Sequence, residues 1–335
     1  MIYFHPKNKL LKGISVVIPN YNGRELLEKI IPPAFVALQN SGLPFEIIIS
    51  DDASSDESVS FLKNFYPEIT LIQNQENQGF SKTINRGIFK AKFSYILLLN
   101  SDVILTENYF ENQLRYFDDD KTFGVMGRIV GWNNDKIQDG AKYPNFHGAK
   151  IKTTGNYLNT GPQKSDRLYS MYLSGANAFV SKEKILQLQG FDELFSPFYV
   201  EDYELSLRAW RMGWKCYYDH FSVCRHKESV SIKSANKMNY IKSIYYRNKM
   251  YLHAIHLEGF KRIIWFIQMP VEVLIQTLIG KTYQLKGLRM FLKNYKRMLK
   301  SRNHFESLAG ENILSVTDVV KKIKTSLENL SISRF

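Results

Sequence analysis

Four short apolar runs recur in the first hundred residues, and each ends in polar groups. They are Ile14-Ser15-Val16-Val17-Ile18-Pro19, Glu46-Ile47-Ile48-Ile49-Ser50, Ile69-Thr70-Leu71-Ile72 and Tyr95-Ile96-Leu97-Leu98-Leu99. Continuous β-branched or leucine-rich runs of this length predict strands buried on both faces. Between them lie helical patterns. One spans Arg24 to about Gln39, where Pro32-Pro33 is expected to break it; another follows Asp56-Glu57-Ser58; a third runs from Asn77-Gln78-Gly79-Phe80 to about Ala91. Strand and helix alternating over short connections predict an α/β layered fold with a largely parallel sheet.

Ligands of such sheets bind beyond the carboxyl ends of the strands. Polar groups fall at those ends: Tyr21 and Asn22 after the first strand, Asp51 and Asp52 after the second, Asp102 after the fourth. From Phe123 to about Gly161 the pattern is irregular and rich in glycine, with Trp132, Tyr143, Phe146, His147 and Tyr157 interleaved. Met171 to Val180 reads as a strand in which Gly175 allows close backbone approach, and Lys182 to Leu188 as a short helix. A loop from Gly190 to Val200 then leads into Glu201-Asp202. From Tyr203 onward Leu205, Ala209 and Met212 keep helical spacing, Glu204 and Arg208 can pair at i,i+4, and Gly213 ends the run. Carboxylates at a helix start commonly stabilise its dipole. The alternative is that Asp202 removes a proton from a substrate hydroxyl.

Further along, Met238 to His256 has a helical pattern. Ile263 to Ile279 is the most apolar stretch, but Gln268, Pro270, Glu272 and Gln276 interrupt it, short of the roughly 20 mainly apolar residues of a bilayer span. Leu285, Leu288, Leu292, Tyr295 and Leu299 share one helical face, with Lys286, Arg289, Lys293, Lys296, Arg297 and Lys300 over much of the rest. Such a helix either lies in a membrane interface, held by anionic lipids, or packs on the body with a basic outer face. Ile313, Val316, Val320, Ile323, Leu327 and Leu330 form a last apolar stripe.

Charge divides the chain in the same place. Between Lys233 and Arg302 fifteen Lys and Arg stand against Glu258 and Glu272, an excess equal to the +13 of the whole chain. The expected organisation is a charge-balanced catalytic body over 1–230, a basic helical extension over 231–302 and an amphipathic tail over 303–335. A composition of 44% hydrophobic and 23% charged residues is that of a folded chain. Cys216 and Cys224 match no metal or redox spacing and favour a reducing compartment. Met1 to Pro6 lacks signal-peptide architecture. The expected location is therefore cytoplasmic, peripheral on the inner face of the cell membrane.

Neither G-x-G-x-x-G after the first strand nor G-x-x-x-x-G-K-[ST] occurs, which removes the main support for hydride transfer and P-loop chemistry. An acidic cleft suits a divalent cation that screens a diphosphate, and hard oxygen ligands select Mg2+ or Mn2+. Asp102 is the candidate ligand. A sugar nucleotidyltransferase would also use acidic metal sites, but it needs a glycine- and base-rich loop where Pro19-Asn20-Tyr21-Asn22-Gly23 stands. A non-enzymatic basic module binding nucleic acid or membrane is the other alternative. Nucleic-acid binding predicts basic residues around the cleft, not gathered in one extension.

A series of motifs runs in order over residues 14–230. It comprises Ser15-Val16-Val17-Ile18-Pro19-Asn20-Tyr21-Asn22, Ser50-Asp51-Asp52-Ala53-Ser54-Ser55-Asp56, Asn77-Gln78-Gly79-Phe80 through Gly87, and Leu99-Asn100-Ser101-Asp102. Ser174-Gly175-Ala176-Asn177, Gly190-Phe191-Asp192-Glu193, Glu201-Asp202 and His226 to Ser229 complete it. With this series the chain resembles family 2 glycosyltransferases of the Rossmann-like GT-A fold, in the style of bacterial rhamnosyltransferase-like members.

The resemblance implies an inverting, metal-assisted transferase of hexosyltransferase type. It would move a sugar from a UDP-, dTDP- or GDP-linked donor to a glycan or lipid-linked glycan, through surface-polysaccharide synthesis at an anionic membrane. Asp51 or Asp52 would meet the donor base, in a pocket formed by Pro19 and Tyr21; the local alternative for these aspartates is an Asx-turn or helix cap, the role expected of Asp56. Lys82 and Asn85 would lie at the sugar or diphosphate, and the Asn177 segment beside the donor sugar. Asn100-Ser101-Asp102 occupies the D-x-D position with an amide in place of the first carboxylate. Asp102 is then the main acidic ligand, His226 matches a metal-binding histidine, Asp202 aligns with the general base, and Glu201 would orient the acceptor or Asp202. The aromatic-rich 123–161 segment would carry acceptor specificity.

Overall fold

Strands that are apolar on both faces are stable only when paired and covered on both sides. In the computed structural model, which describes residues 11–161, 167–227, 235–310 and 313–335, β1 (Leu11–Asn20), β2 (Phe45–Asp51), β3 (Thr70–Gln73) and β4 (Phe93–Leu99) pair in parallel in the order β3-β2-β1-β4. Met1 to Pro6 and the Glu228-Ser229 end of the His226 motif lie outside the described residues. The crossover helices are α1 (Arg24–Asn40), α2 (Ser58–Phe65) and α3 (Phe80–Lys90). α1 continues through Pro32 and Pro33 where a break was expected. The prolines leave the carbonyls of Glu28 and Lys29 without helical donors, but both residues are exposed, so solvent can replace those bonds.

The sheet does not stop at β4. β5 (Val103–Leu105), β6 (Thr122–Gly131), β7 (Ile137–Asp139), β8 (Ala141–His147), β9 (Lys150–Asn159), β10 (Leu168–Tyr169), β11 (Asn177–Ser181) and β12 (Lys215–His226) follow. The main sheet has the order β10-β12-β6-β11-β4-β1-β2-β3, with β5 on β12 and β7 on β6. β8 and β9 form a separate antiparallel sheet with β13 (Ile332–Arg334). Residues 123–161 are thus largely strand, contrary to the irregular reading. The glycines mislead because two of them sit at tight contacts between strands. A Cβ would lie 2.6 Å from the Phe179 carbonyl at Gly124 and 2.6 Å from the Ser222 carbonyl at Gly127.

Met171 to Val180 is also corrected, since only Asn177–Ser181 is strand. The backbone before it is bound instead by side chains of the later helix Glu201–Arg211: Leu173 N donates to Ser206 Oγ (3.0 Å) and Gly175 N to Asp202 Oδ2 (3.4 Å).

α4 (Lys182–Gln187) and α5 (Glu201–Arg211) complete the body, and α6 (Ala235–His256), α7 (Gly259–Leu278), α8 (Tyr283–Lys293), α9 (Tyr295–Ala309) and α10 (Val316–Thr325) close on it. α6 packs on α8 and α9, and α10 on α5 and β8. One core cluster runs from Val17 and Ile84 through Leu205 and Trp210 to Leu252, Trp265, Phe291 and Val320. The stripe expected over 285–299 bends into two helices at Asn294. Phe291, Met298 and Phe305 are buried, Leu285, Leu288, Tyr295 and Leu299 pack half-buried against the core, and Leu292 is exposed. Packing on the body therefore accounts for most of that stripe.

A buried charged network joins α5 to α6. Arg208 Nε donates to Glu204 Oε1 and Oε2 (2.9 and 3.0 Å), and its other nitrogens to the carbonyls of Leu188 (2.6 Å) and Gly190 (2.8 Å). His256 Nε2 lies 3.2 Å from Glu204 Oε1, and Arg211 pairs with Glu258. Arg302 caps the end of α6 by donating to the carbonyls of Ala254, Ile255 and Leu257.

Candidate active site

The loop before α5 is held from three sides. Asn85 accepts from Phe191 N (2.8 Å) and donates to its carbonyl (2.9 Å). Asp192 accepts from Leu194 N (2.9 Å). Asn248 on α6 donates to the carbonyls of Phe195, Phe198 and Tyr199. Tyr199 and Val200 both take φ of 74°. A β-branched residue there is strained, and the surrounding hydrogen bonds are what hold it. The left-handed turn at Val200 leads directly into the helix at Glu201, and Asp202 in its first turn faces a pocket of about 610 Å³ lined also by Asn100, Gln138, Lys142, Tyr199 and His226.

Asp202 Oδ1 accepts from Tyr203 N (2.7 Å) and Oδ2 from Gly175 N (3.4 Å). Burial nonetheless raises its pKa above the ordinary carboxylate value, against those donors and Lys142. Burial, and then the charge of Asp202, push Glu201 up to about 8. A helix start alone would favour an ionised Asp202, so here desolvation outweighs the dipole. An acid raised toward neutral pH is better matched to accepting a proton.

Lys142, on β8, was not singled out from the sequence. It is 7% exposed, pairs with Asp139, donates to Asn156 Oδ1 (2.9 Å) and lies 5.2 Å over the Tyr172 ring. Burial lowers its pKa to about 8, so most of its charge persists at neutral pH and favours ionised Asp202. Glu201 and Tyr172 also feel the charge of that carboxylate, which raises both their pKa values. Removing the cation in Lys142→Met should raise the Asp202 pKa further. The acid limb of the pH–rate profile would move to higher pH; an unmoved limb rules this coupling out.

At the far wall, β5 pairs with β12 in a register that sets His226 opposite Val103, and Lys227 N donates to the Asp102 carbonyl (3.0 Å). His226 Nε2 thereby comes within 3.5 Å of Asp102 Oδ2, while its Nδ1 meets Gln138 Oε1 at 2.9 Å. Asp102 Oδ1 is buried and has no hydrogen-bond partner among the described residues. A carboxylate with an orphaned oxygen beside an imidazole fixed through its other nitrogen fits a divalent cation. Among the described residues no group of three His, Cys, Asp or Glu is clustered for a metal. Other oxygens would have to complete such a site.

The remaining candidates divide. Pro19 and the exposed Tyr21 stand at the end of β1, Ser101 lies beside the Gly23 turn, Asn100 lines the pocket, and Lys82 is half-buried in the first turn of α3. Asp51 accepts from Asn20 Nδ2 (2.9 Å), Ser54 Oγ (2.6 Å) and Ser54 N (2.9 Å). Asp52 accepts from Asn74 Nδ2 (2.7 Å), Gln78 N (2.8 Å) and Gly79 N (2.9 Å). Both aspartates organise turns at the strand ends, and Asp56 forms an Asx-turn before α2 by accepting from Ser58 N (3.0 Å) and also accepts from Arg24 N (3.0 Å) at the start of α1. Asn85 and Asn177 are placed away from the pocket. The Asn85 amide is engaged by Phe191, and Asn177 is fully buried in the sheet, donating to the Gly127 carbonyl (3.0 Å) and Cys224 Sγ (3.2 Å).

The model of the family described as glycosyl transferase family 2 matches residues 15–187. Among curated relatives, a chondroitin synthase of Pasteurella multocida (strain Pm70) is 23% identical over 232 residues, covering 62% of this chain and 24% of that protein. The poly(ribitol-phosphate) beta-N-acetylglucosaminyltransferase TarP of Staphylococcus aureus (strain N315) is 28% identical over 121 residues, covering 35% of this chain and 37% of that protein. The chain spans about half or less of the length of the curated relatives it matches. Among solved structures, GalNAc-T7 with UDP, GalNAc and Mn2+ superposes with a TM-score of 0.64 at 18% identity, over 96% of this chain and 58% of that one. The mannosyltransferase PcManGT from Pyrobaculum calidifontis, in complex with GDP-Man and Mn2+, gives 0.51 at 14% identity, over 90% and 89%.

Proposed function

The chain belongs to glycosyl transferase family 2 and has the GT-A fold, and from that premise we propose that it moves a sugar from a nucleoside diphosphate-sugar to a glycan hydroxyl with inversion. The observation that carries this reading is one pocket that has Asp202 on one wall and Asn100 and His226, the latter against Asp102, on another. Matched relatives named as chondroitin, teichoic acid and poly-N-acetylglucosamine enzymes support bacterial surface-polysaccharide synthesis as the setting. The UDP and GDP-Man of the solved neighbours support a nucleoside diphosphate-sugar donor linked through UDP or GDP, with dTDP kept as the third candidate on the sequence resemblance alone.

In this reading Pro19, Tyr21 and the Asp51-Asp52 turn receive the base, and Lys82, Asn100 and Ser101 face the ribose and diphosphate. Asp102 and His226 would hold Mg2+ or Mn2+, the latter being the ion of both neighbours. When bound, the ion supplies positive charge that offsets charge on the departing diphosphate. Asp202 takes the acceptor proton as the hydroxyl oxygen bonds to the anomeric carbon and the bond to the diphosphate breaks. Glu201 orients the acceptor, and Lys142 keeps Asp202 ionised until the proton arrives. No helix among the described residues is long and apolar enough to cross a membrane. We place the protein peripherally, on the cytoplasmic face.

Product analysis tests the transfer. Nucleoside diphosphate should be released in step with a glycan whose new linkage has the opposite anomeric configuration to the donor by NMR. Retained configuration would exclude single displacement. Asp102→Ala should weaken Mn2+-dependent nucleoside diphosphate binding by roughly tenfold or more; an unchanged Mn2+ titration sinks the ligand assignment.

A further inference from the structure

The outer face of α7 has no counterpart in the transfer reaction. Phe260, Ile263, Ile267, Val271, Leu274 and Leu278 recur every three or four residues, each more than half exposed, while Trp265, Met269 and Val273 on the opposite side are buried. A soluble helix normally turns polar residues outward; this one is apolar outside as well as inside over its 20 residues. No charge falls within the outer stripe. Cations lie at both ends, Lys261 and Arg262 in the first turn and Lys281 just beyond the last, and the neighbouring α8 exposes Lys286, Arg289 and Lys293. A second copy of the chain docked face to face would bring these like charges together. An anionic bilayer is complementary to both the stripe and its surround.

Beside α7 lies a second pocket, of about 390 Å³, between α6, α7 and the small sheet. It gathers Lys150, Lys152 and Lys249, all half-buried, against the single acid Glu272, which pairs with Lys150. Among the described residues no carboxylate pairs with Lys152 or Lys249. Burial, and then Lys150 and Lys249, lower the Lys152 pKa against the opposing charge of Glu272, so one carboxylate faces three cations here. Ile275 of α7, more than half exposed, also lines this pocket, so it adjoins the apolar face. It also adjoins the catalytic pocket. The ring of Tyr245, which lines the lysine pocket, is 6.2 Å from that of Tyr199, which lines the other. Along β9, Lys152 and Asn156 mark the two pockets, and four residues of strand span roughly 13 Å.

We propose that α7 lies in the surface of an anionic bilayer with this face among the acyl chains, and that the lysine pocket takes the phosphate of a lipid-linked acceptor whose glycan end reaches Asp202. The last clause rests on the glycosyl-transfer reading; membrane docking and phosphate capture do not.

The test uses the full chain and vesicles of phosphatidylcholine, of phosphatidylcholine with phosphatidylglycerol, and of phosphatidylcholine doped with a polyprenyl monophosphate at matched charge. Wild-type protein should co-sediment with both anionic vesicle types and not with neutral ones. Ile267→Asn combined with Leu274→Asn, both at exposed positions, should stay in the supernatant with an unchanged thermal melt; unchanged sedimentation overturns the placement of α7. A dimer in sedimentation velocity that this pair of substitutions abolishes, with no vesicle binding by the wild type, overturns it in favour of a second copy. Lys152→Gln with Lys249→Gln should lose roughly tenfold in affinity for the polyprenyl phosphate vesicles and much less for phosphatidylglycerol; equal loss on both overturns the pocket. Saturation by pyrophosphate alone, with no gain from the lipid, overturns a lipid source. Mn2+-dependent donor binding by the same preparations separates the two readings. In the wild type, intact donor binding without vesicle binding rejects this inference alone, and absent donor binding rejects the transfer reading.

Discussion

Asp202→Asn should lower the rate of sugar transfer by roughly 10²–10⁴-fold, the range of a lost general base, while donor affinity stays nearly unchanged. The substitution keeps the size of the side chain and an oxygen to accept from Tyr203 N, the shorter of the two backbone bonds at 2.7 Å, and gives up only the 3.4 Å bond from Gly175 N, so the turn into α5 should persist. What it removes is the group able to take the acceptor proton. Glu201 is a poor substitute: it is 9% exposed, its Oε2 has no partner among the described residues, and burial, the larger cause of its raised pKa, persists when the charge of Asp202 is gone. Single-turnover transfer and donor titration on the same preparation check the split, and retained turnover removes Asp202 from the role.

The largest loss of stability should come from Arg208→Met. The guanidinium, 5% exposed, answers Glu204 and the carbonyls of Leu188 and Gly190 together. Without it a buried carboxylate keeps only His256, whose pKa burial holds well below the ordinary histidine value, so that the imidazole is neutral at pH 7. Removing one partner of a buried pair costs about 3–5 kcal/mol, because the other charge is left uncompensated. The denaturant midpoint should fall accordingly, and Glu204→Gln in the same chain should restore part of the loss. No recovery in the double variant would mean that the cost lies in packing or in the lost carbonyl contacts, not in the stranded charge.

The parallel half of the sheet was legible because two-sided burial writes itself as continuous apolar runs, and strand ends then point to Asp102 and the Asp51-Asp52 turn. Residues 123–161 were not, since glycines such as Gly124 and Gly127 look like loop punctuation but mark close contact between strands. Missing those strands also hid Lys142, whose role depends on β8 turning it toward Asp202. Asn85 and Asn177 show the converse limit. Their positions in the chain are where a donor contact is expected, but the direction of a short amide is set by neighbours distant in sequence, Phe191 for one and Gly127 and Cys224 for the other. The outer face of α7 was illegible for a simpler reason. Ile263 to Ile279 is apolar on most sides, and apolarity alone does not say which side the core takes.

Calorimetric titration of the intact chain with UDP-, dTDP- and GDP-linked sugars, first with Mn2+ and then with EDTA, tests the account most directly. The Asp102–His226 pair and the pocket it shares with Asp202 predict that at least one donor saturates the protein with Mn2+ and loses that saturation when EDTA replaces the metal. A panel in which no donor binds, or in which binding is the same in EDTA, would contradict it.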